Sequence, residues 1–421
     1  MVGRMPLYRV WGVLLSALFT VAFVACGSDD SAPTTDETNI TGNPEQPRKG
    51  GLPPSENGDA PGSSPSAPAK GADPLPTTPP GEWTWLGPEQ FDNAVKCMDG
   101  STTGLVVNRS PTGSKKVVLY MRGAAACWDG QSCTINEDLL AADHLTKEEA
   151  MDWLKDAGQW SIFNRVAEKN PFKDYNFVWI PYCSGDVFAG DNDNGYKGRA
   201  HHGYKNVAAY LPRLAATFAD ATDVVLTGMS AGGYGASYNF PQVQRAFSKV
   251  KVTMISDSAP IFGNTYTPPC LAQKWNDTWG MDKTIPLEGT FTIGFDRVSG
   301  APGNGLYDLM QAMLEKYPEN KFALITSRGD LTMRYFHGIG HSANCGLPYI
   351  LSAGFFEDGL REIRSVTAPN FSTYYGPGTS HVYFYDDAPI YETVVDGITL
   401  VDWIAKVVTT KDEPRRVPAQ F

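Results

Sequence analysis

The stretch that most constrains this chain is Val224-Val225-Leu226-Thr227-Gly228-Met229-Ser230-Ala231-Gly232-Gly233-Tyr234-Gly235-Ala236. A short apolar run ends in Gly228-Met229-Ser230-Ala231-Gly232, a G-x-S-x-G sequence, and small residues with helical spacing follow. A serine hydroxyl is a poor nucleophile unless it is exposed, aimed and hydrogen-bonded to a base. A sharp strand-to-helix turn supplies the exposure and the aim. So tight a turn needs little side chain on either side, and Gly228, Gly232 and Gly233 are expected to adopt its unusual dihedrals. The following helix would point its first amides at any anion forming beside Ser230.

Around this turn, apolar runs alternate with helical spacing. Residues 117–121, 177–180, 224–226, 252–255 and 322–325 read as strands, and 207–218 and 397–408 as helices. Strands apolar at nearly every position fit a parallel sheet covered on both faces. The expected fold class is α/β: an α/β-hydrolase-like fold with a mainly parallel central sheet, helices on both faces and a loop-rich cap. That cap is read from residues 264–305, a Pro- and Gly-rich stretch taken as an irregular insertion. At 421 residues and 42% hydrophobic, the chain can bury a sizeable core, assigned to a catalytic domain over 82–421. A net charge of −11 argues against nucleic acid as the main partner, because phosphate binding needs a basic face.

The N-terminus reads as an export signal. Arg4 and Arg9 precede an apolar run over 10–24, too short for a comfortable membrane span. Its end, Phe23-Val24-Ala25-Cys26-Gly27, resembles a bacterial lipoprotein box, in which the cysteine is lipidated and becomes the mature N-terminus. Residues 1–26 are therefore expected to be a lipoprotein signal peptide, with Gly27 favouring the outer membrane or cell surface. Residues 27–81, rich in Pro, Gly and Ser, read as a disordered tether. Six further cysteines remain: Cys97, Cys127, Cys133, Cys183, Cys270 and Cys345. An even number in an oxidising compartment implies three disulfides, each stabilising by about 2–4 kcal/mol. Their spacing does not suit zinc, and no metal or cofactor is expected.

Ser230 needs a base, and the base needs a group to orient it. In α/β-hydrolases the chain order is serine, acid, histidine. His337, His341 and His381 follow Ser230. His381 comes after Gly376-Pro377-Gly378-Thr379-Ser380, a late loop ahead of the last helix, and is the expected base. His337 and His341 read as loop residues. Two aspartates end apolar strands, Asp257 and Asp330; the later one, Asp330, is preferred as the acid, with Asp257 as the alternative. One oxyanion donor should be the amide of Ala231, directly after the nucleophile. Others should come from the loop Arg122-Gly123-Ala124-Ala125-Ala126-Cys127-Trp128.

Three stretches resemble the pectin acetylesterase family, which also contains the animal carboxylesterases called Notum. They are Leu119-Tyr120-Met121-Arg122-Gly123-Ala124-Ala125-Ala126-Cys127, Ile180-Pro181-Tyr182-Cys183-Ser184-Gly185-Asp186-Val187-Phe188-Ala189-Gly190, and Gly228-Met229-Ser230-Ala231-Gly232-Gly233. Asp330 and His381 complete the likeness, which covers roughly residues 83–408. The resemblance implies a metal-independent serine esterase with Ser230, Asp330 and His381 as its triad. It implies Ala124, Ala125 and Ala231 as oxyanion donors, and disulfides Cys97–Cys183, Cys127–Cys133 and Cys270–Cys345. The expected substrate is an acylated, in particular acetylated, polysaccharide or another ester, cleaved by a monomer whose only membrane contact is its lipid. A lipid or polyester esterase, or a non-catalytic binding protein on the same fold, are the alternatives. The family loop is usually glycine-rich with a tryptophan before its cysteine; here alanines fill it and Trp128 follows, so methyl groups narrow the approach.

Two further signals were weighed. Asp191-Asn192-Asp193-Asn194-Gly195 resembles the start of a calcium loop, but position twelve holds His202 instead of glutamate, so a turn is expected. Trp275 and Trp279, in the expected cap, read as packing residues, with sugar stacking as the functional alternative.

Overall fold

The computed structural model describes residues 72–134, 143–285, 291–292, 296–297, 304–342, 345–346, 349–410 and 416–421. The expected signal peptide and most of the expected tether lie outside these residues. Nine strands form one sheet: β1 (Trp83–Leu86), β2 (Leu105–Asn108), β3 (Lys116–Met121), β4 (Asn176–Ile180), β5 (Asp223–Met229), β6 (Thr253–Asp257), β7 (Lys321–Ser327), β8 (Phe371–Gly376) and β9 (Arg416–Val417). Their order is β1-β2-β4-β3-β5-β6-β7-β8-β9. Pairings from β4 through β9 are parallel, and the two involving β2 are antiparallel. The fold is α/β-hydrolase-like.

Alternation along the strands explains why their sequences are apolar throughout. In β3, Val117, Leu119 and Met121 enter one core, while Val118 and Tyr120 enter the other; in β5, Val224 and Leu226 oppose Val225. Side chains of successive strand residues point to opposite faces, so a sheet covered twice admits no polar face. The helix α1 (Lys147–Ala157) packs beside β1, α3 (Ala231–Ala246) lies against β3, β5 and β6, and α2 (Gly203–Thr217) packs on α3. Thr146 and Glu149 form a reciprocal cap that starts α1. Residues from α2 and α3, such as Leu211 and Phe240, join the first core. Ala150 and Leu154 of α1 join the second.

The chain continues through α4 (Pro269–Trp279), α5 (Leu306–Lys316), α6 (Leu331–Gly338), α7 (Ala353–Ser365), α8 (Asp387–Glu392) and α9 (Leu400–Thr409). Leu400, Val401, Trp403 and Ile404 of α9 are fully buried. Burying an aliphatic or aromatic side chain of this size stabilises by about 1.5–3 kcal/mol, so α9 is fixed to the sheet by its apolar stripe.

Two boundaries differ from expectation. The folded region starts before residue 82: Leu75 is buried, its amide donates to Thr217 Oγ1 at 2.7 Å, and the Arg213 guanidinium donates to the carbonyls of Asp73 and Pro74. One leucine among prolines and threonines is too little for composition to register. The segment read as irregular over 264–305 contains α4, whose Trp275 and Trp279 are buried and stacked at 5.7 Å. Its proline at the first helical position is a helix-start signal that the Pro/Gly content obscured.

The structure forms disulfides Cys97–Cys183, Cys127–Cys133 and Cys270–Cys345. Cys97–Cys183 joins the segment before β2 to the segment after β4, and Cys270–Cys345 ties α4 to the segment after α6.

Candidate active site

Ser230 stands between the end of β5 and the first residue of α3, with φ 54° and ψ −122°. A serine in this region is strained and persists only where its surroundings fix it. The positive φ therefore belongs to Ser230 itself, and Gly228, Gly232 and Gly233 do not share it. The glycines serve close approach instead. A methyl group on Gly232 would lie 2.0 Å from the Met121 carbonyl oxygen, and one on Gly228 would lie 2.5 Å from the Gly232 oxygen. Neither contact is tolerable. Gly232→Ala is accordingly expected to destabilise the protein by about 3 kcal/mol or more, read as a lowered Tm; an unchanged Tm contradicts the packing described.

The expected acid and base meet. His381 Nδ1 lies 2.8 Å from Asp330 Oδ2. Asp330 follows β7, is fully buried and caps α6: its Oδ1 accepts the Met333 amide at 3.0 Å. His381 follows β8, the strand next to β7. The two loops are stitched together by Arg328 N–H to Gly376 O, Gly329 N–H to Gly378 O and Leu331 N–H to Thr379 O. With Nδ1 facing a carboxylate, that nitrogen carries the proton, and Nε2 is left as an acceptor. His381 Nε2 is buried and makes no hydrogen bond, so its contact with the Ser230 hydroxyl is not closed in this structure. Such contacts are often loose in unliganded sites and tighten around substrate.

Burial pushes the His381 pKa down, but the neighbouring Asp330 carboxylate, their hydrogen bond and the Asp257 charge outweigh it. The net direction is upward from the ordinary imidazole value.

Asp257 is not bonded to the imidazole. Its Oδ2 accepts the amides of Tyr383 and Phe384, each at 2.8 Å, and its Oδ1 accepts the Ser258 hydroxyl at 2.9 Å. Burial pushes its pKa up to about 6, although these three donors pull the other way. Asp330, and not Asp257, is the carboxylate hydrogen-bonded to the His381 ring. What sequence reasoning missed is the role of Ser258, whose Oγ accepts the Val382 amide at 3.0 Å. The signal was Asp-Ser directly after an apolar strand, a pair suited to collecting backbone amides.

The loop after β3 reaches Ser230. A methyl on Gly123 would meet Met229 O at 2.5 Å and Ser230 Cβ at 3.2 Å, so this glycine packs directly on the turn. Ala124 and Ala125 follow it. Among the described residues, neither their amides nor that of Ala231 donates to a protein acceptor. The loop is held from behind: Trp279 Nε1 donates to Cys127 O at 2.8 Å, and Trp128 packs against Trp275, Trp279 and Phe336. Trp275 and Trp279 therefore act as packing residues; being buried, they offer no face to a sugar.

The other histidines are engaged elsewhere. His337 is buried between the Tyr234 hydroxyl and Thr267 Oγ1, and burial pushes its pKa down to about 3. His201 Nδ1 is bonded to Ser184 O, and burial lowers its pKa to about 4. His341 Nε2 lies 3.3 Å from Tyr266 O, and His144 bridges Asp143 and Glu149. His202 lies against Asp193, in the segment that resembled a calcium loop; there Asp191 pairs with Lys205 and Asn192 bridges to His201, as in a turn. Asp186, of the Ser184-Gly185-Asp186 motif, is fully buried and accepts the amides of Phe188, Gly190 and Gly203 and the Ser184 hydroxyl. That motif builds the scaffold beside the site.

A strained serine between strand and helix, an Asp–His pair on the loops after neighbouring strands and unspent amides in an adjacent loop make up the site. The pectinacetylesterase family model matches residues 84–276. This span runs from within β1 to within α4 and takes in Ser230 and the loop after β3. The chain is also 29% identical over 171 residues to the palmitoleoyl-protein carboxylesterase Notum of Schmidtea mediterranea, covering 38% of this chain and 31% of that protein. The human protein of that name is 27% identical over 182 residues, covering 41% of this chain and 36% of its own. That of Drosophila melanogaster is 27% identical over 196 residues, covering 43% and 28%. The chain spans about a third of the length of the curated relatives it matches. These matches support the pectinacetylesterase family.

Proposed function

We propose that this chain is a serine carboxylesterase of the pectinacetylesterase family, acting through an acyl-enzyme. Ser230 attacks the ester carbonyl, so the serine oxygen bonds to carbon as its proton passes to His381 Nε2. Asp330 holds the imidazole in the required tautomer and stabilises the imidazolium. The amides of Ala231, Ala124 and Ala125 receive the oxyanion, each such donor being worth about 2.7–4 kcal/mol. The tetrahedral intermediate collapses as His381 returns the proton to the leaving alcohol. Water, activated by the same imidazole, then releases the acid. The observation that carries this reading is the 2.8 Å His381–Asp330 contact, which leaves Nε2 buried and unpartnered at the carboxyl ends of the parallel strands, the end at which Ser230 also stands.

The preferred substrate is an acetylated polysaccharide. The methyl groups of Ala124 and Ala125, where the resembled family carries glycine, favour a short acyl group. The names of the Notum relatives favour a second reading, an esterase for longer acyl chains, lipids or polyester. A p-nitrophenyl ester series from acetyl to palmitoyl separates them: kcat/KM is expected to be highest for acetyl, and a maximum at long chains overturns the acetyl preference. Because the base works only as the neutral ring, kcat/KM should fall as pH drops through an apparent pKa above about 6.5, the ordinary imidazole value. A profile flat down to pH 5 contradicts it. We also propose export with a lipid anchor at Cys26. The three disulfides support an oxidising compartment.

A further inference from the structure

We infer that Asp257 is a positioning residue that clamps the Ser230–His381 pair, its carbonyl fixing the nucleophile's amide and its carboxylate fixing the segment that carries the imidazole. The inference rests on the esterase reading above. Asp257 O accepts the Ser230 amide at 2.8 Å. Its Oδ2 takes the amides of Tyr383 and Phe384, and its neighbour Ser258 takes that of Val382. Three consecutive amides directly after His381 are thereby held by the last residue of β6, the strand beside β5, and the residue that follows it.

The need for such a clamp is visible at Val382. Its φ is 62°, in the left-handed region, where a β-branched residue is a genuine outlier. Strain of this kind persists only when the surroundings over-determine it. Here they do, because the Val382 amide and the two that follow are all bonded to the Asp257–Ser258 pair. Ser258 is itself held with φ 56° by its amide's bond to Ile325 O at 2.7 Å. Released from these bonds, Val382 would relax toward ordinary dihedrals and swing the adjacent imidazole away from Ser230.

The test uses the full chain, p-nitrophenyl acetate, and the variants Asp257→Ala, Asp257→Asn and Ser230→Ala, with Tm measured for each. Misplacement by about 1 Å costs about 100-fold in rate, so Asp257→Ala is expected to lose about that much kcat, with KM changed less than a few-fold. Asp257→Asn keeps an oxygen for the Tyr383 and Phe384 amides and can donate to Ser258, so it should recover about ten-fold of the loss. The titratable groups facing this carboxyl are His381, Tyr120 and Tyr383, and the Asp257 charge is one of the causes that raise the His381 pKa. Removing the negative charge should therefore move the acid limb of Asp257→Asn to lower pH. A folded Asp257→Ala with wild-type kcat overturns the inference. So do two variants equally impaired with an unshifted acid limb, which describes a merely structural carboxylate. If Asp257→Ala does not fold, Asp257→Asn decides by its acid limb. Ser230→Ala with wild-type activity would sink the esterase reading itself, and the clamp with it.

Discussion

Ser230→Ala is expected to lower kcat for p-nitrophenyl acetate by about 10⁴- to 10⁶-fold while leaving Tm nearly unchanged. Loss of the hydroxyl removes the acyl-enzyme route altogether, and what remains is the oxyanion loop acting on bound ester with water as nucleophile. The fold should not suffer. Ser230 contributes to the turn through its backbone, by its amide to Asp257 O and its carbonyl to the amides of Gly233 and Tyr234. Alanine at a positive φ adds some strain, as serine already does. A variant that stays folded and keeps its rate would mean that Ser230 is not the nucleophile.

Asp330→Asn is expected to cost about 10⁴-fold in kcat, close to the loss seen when a triad aspartate becomes its amide. The reason is geometric and electrostatic at once. Asn still caps α6 through an oxygen facing the Met333 amide, so the helix start survives. It then turns its amino group toward His381 Nδ1, which must become an acceptor; the ring proton moves to Nε2, where the base is needed. The acid limb should also move to lower pH, because the Asp330 charge and hydrogen bond, with the Asp257 charge, raise the His381 pKa against burial. Measuring kcat and its pH profile together checks both parts.

The turn at Ser230 and the two-faced sheet were legible in the sequence because each is a local pattern: glycine spacing around serine, and strands with no polar face. The Asp330–His381 contact was legible only through chain order, since 51 residues separate the two and nothing near either names the other. Asp257 shows where sequence reasoning stopped. As a strand-ending aspartate it looked like an acid; that its carboxylate serves two amides and a hydroxyl rather than an imidazole depends on which loop folds over it. The expectation that glycines would hold the strained dihedrals failed for a related reason. Dihedral need and close approach both select glycine, and only coordinates show that Gly232 avoids Met121 O while Ser230 itself takes the strain. In α4, the tryptophans read as packing residues with sugar stacking as the alternative, and Trp128 lies against them as packing requires.

The central claim, that His381 activates Ser230, is tested most directly by covalent labelling with a fluorophosphonate ester, followed by peptide mass spectrometry. A single adduct on Ser230 is expected in the wild-type protein, with the labelling rate lowered by about 100-fold or more in a folded His381→Ala variant. An adduct on another residue, or labelling of Ser230 at the wild-type rate without the imidazole, would contradict it.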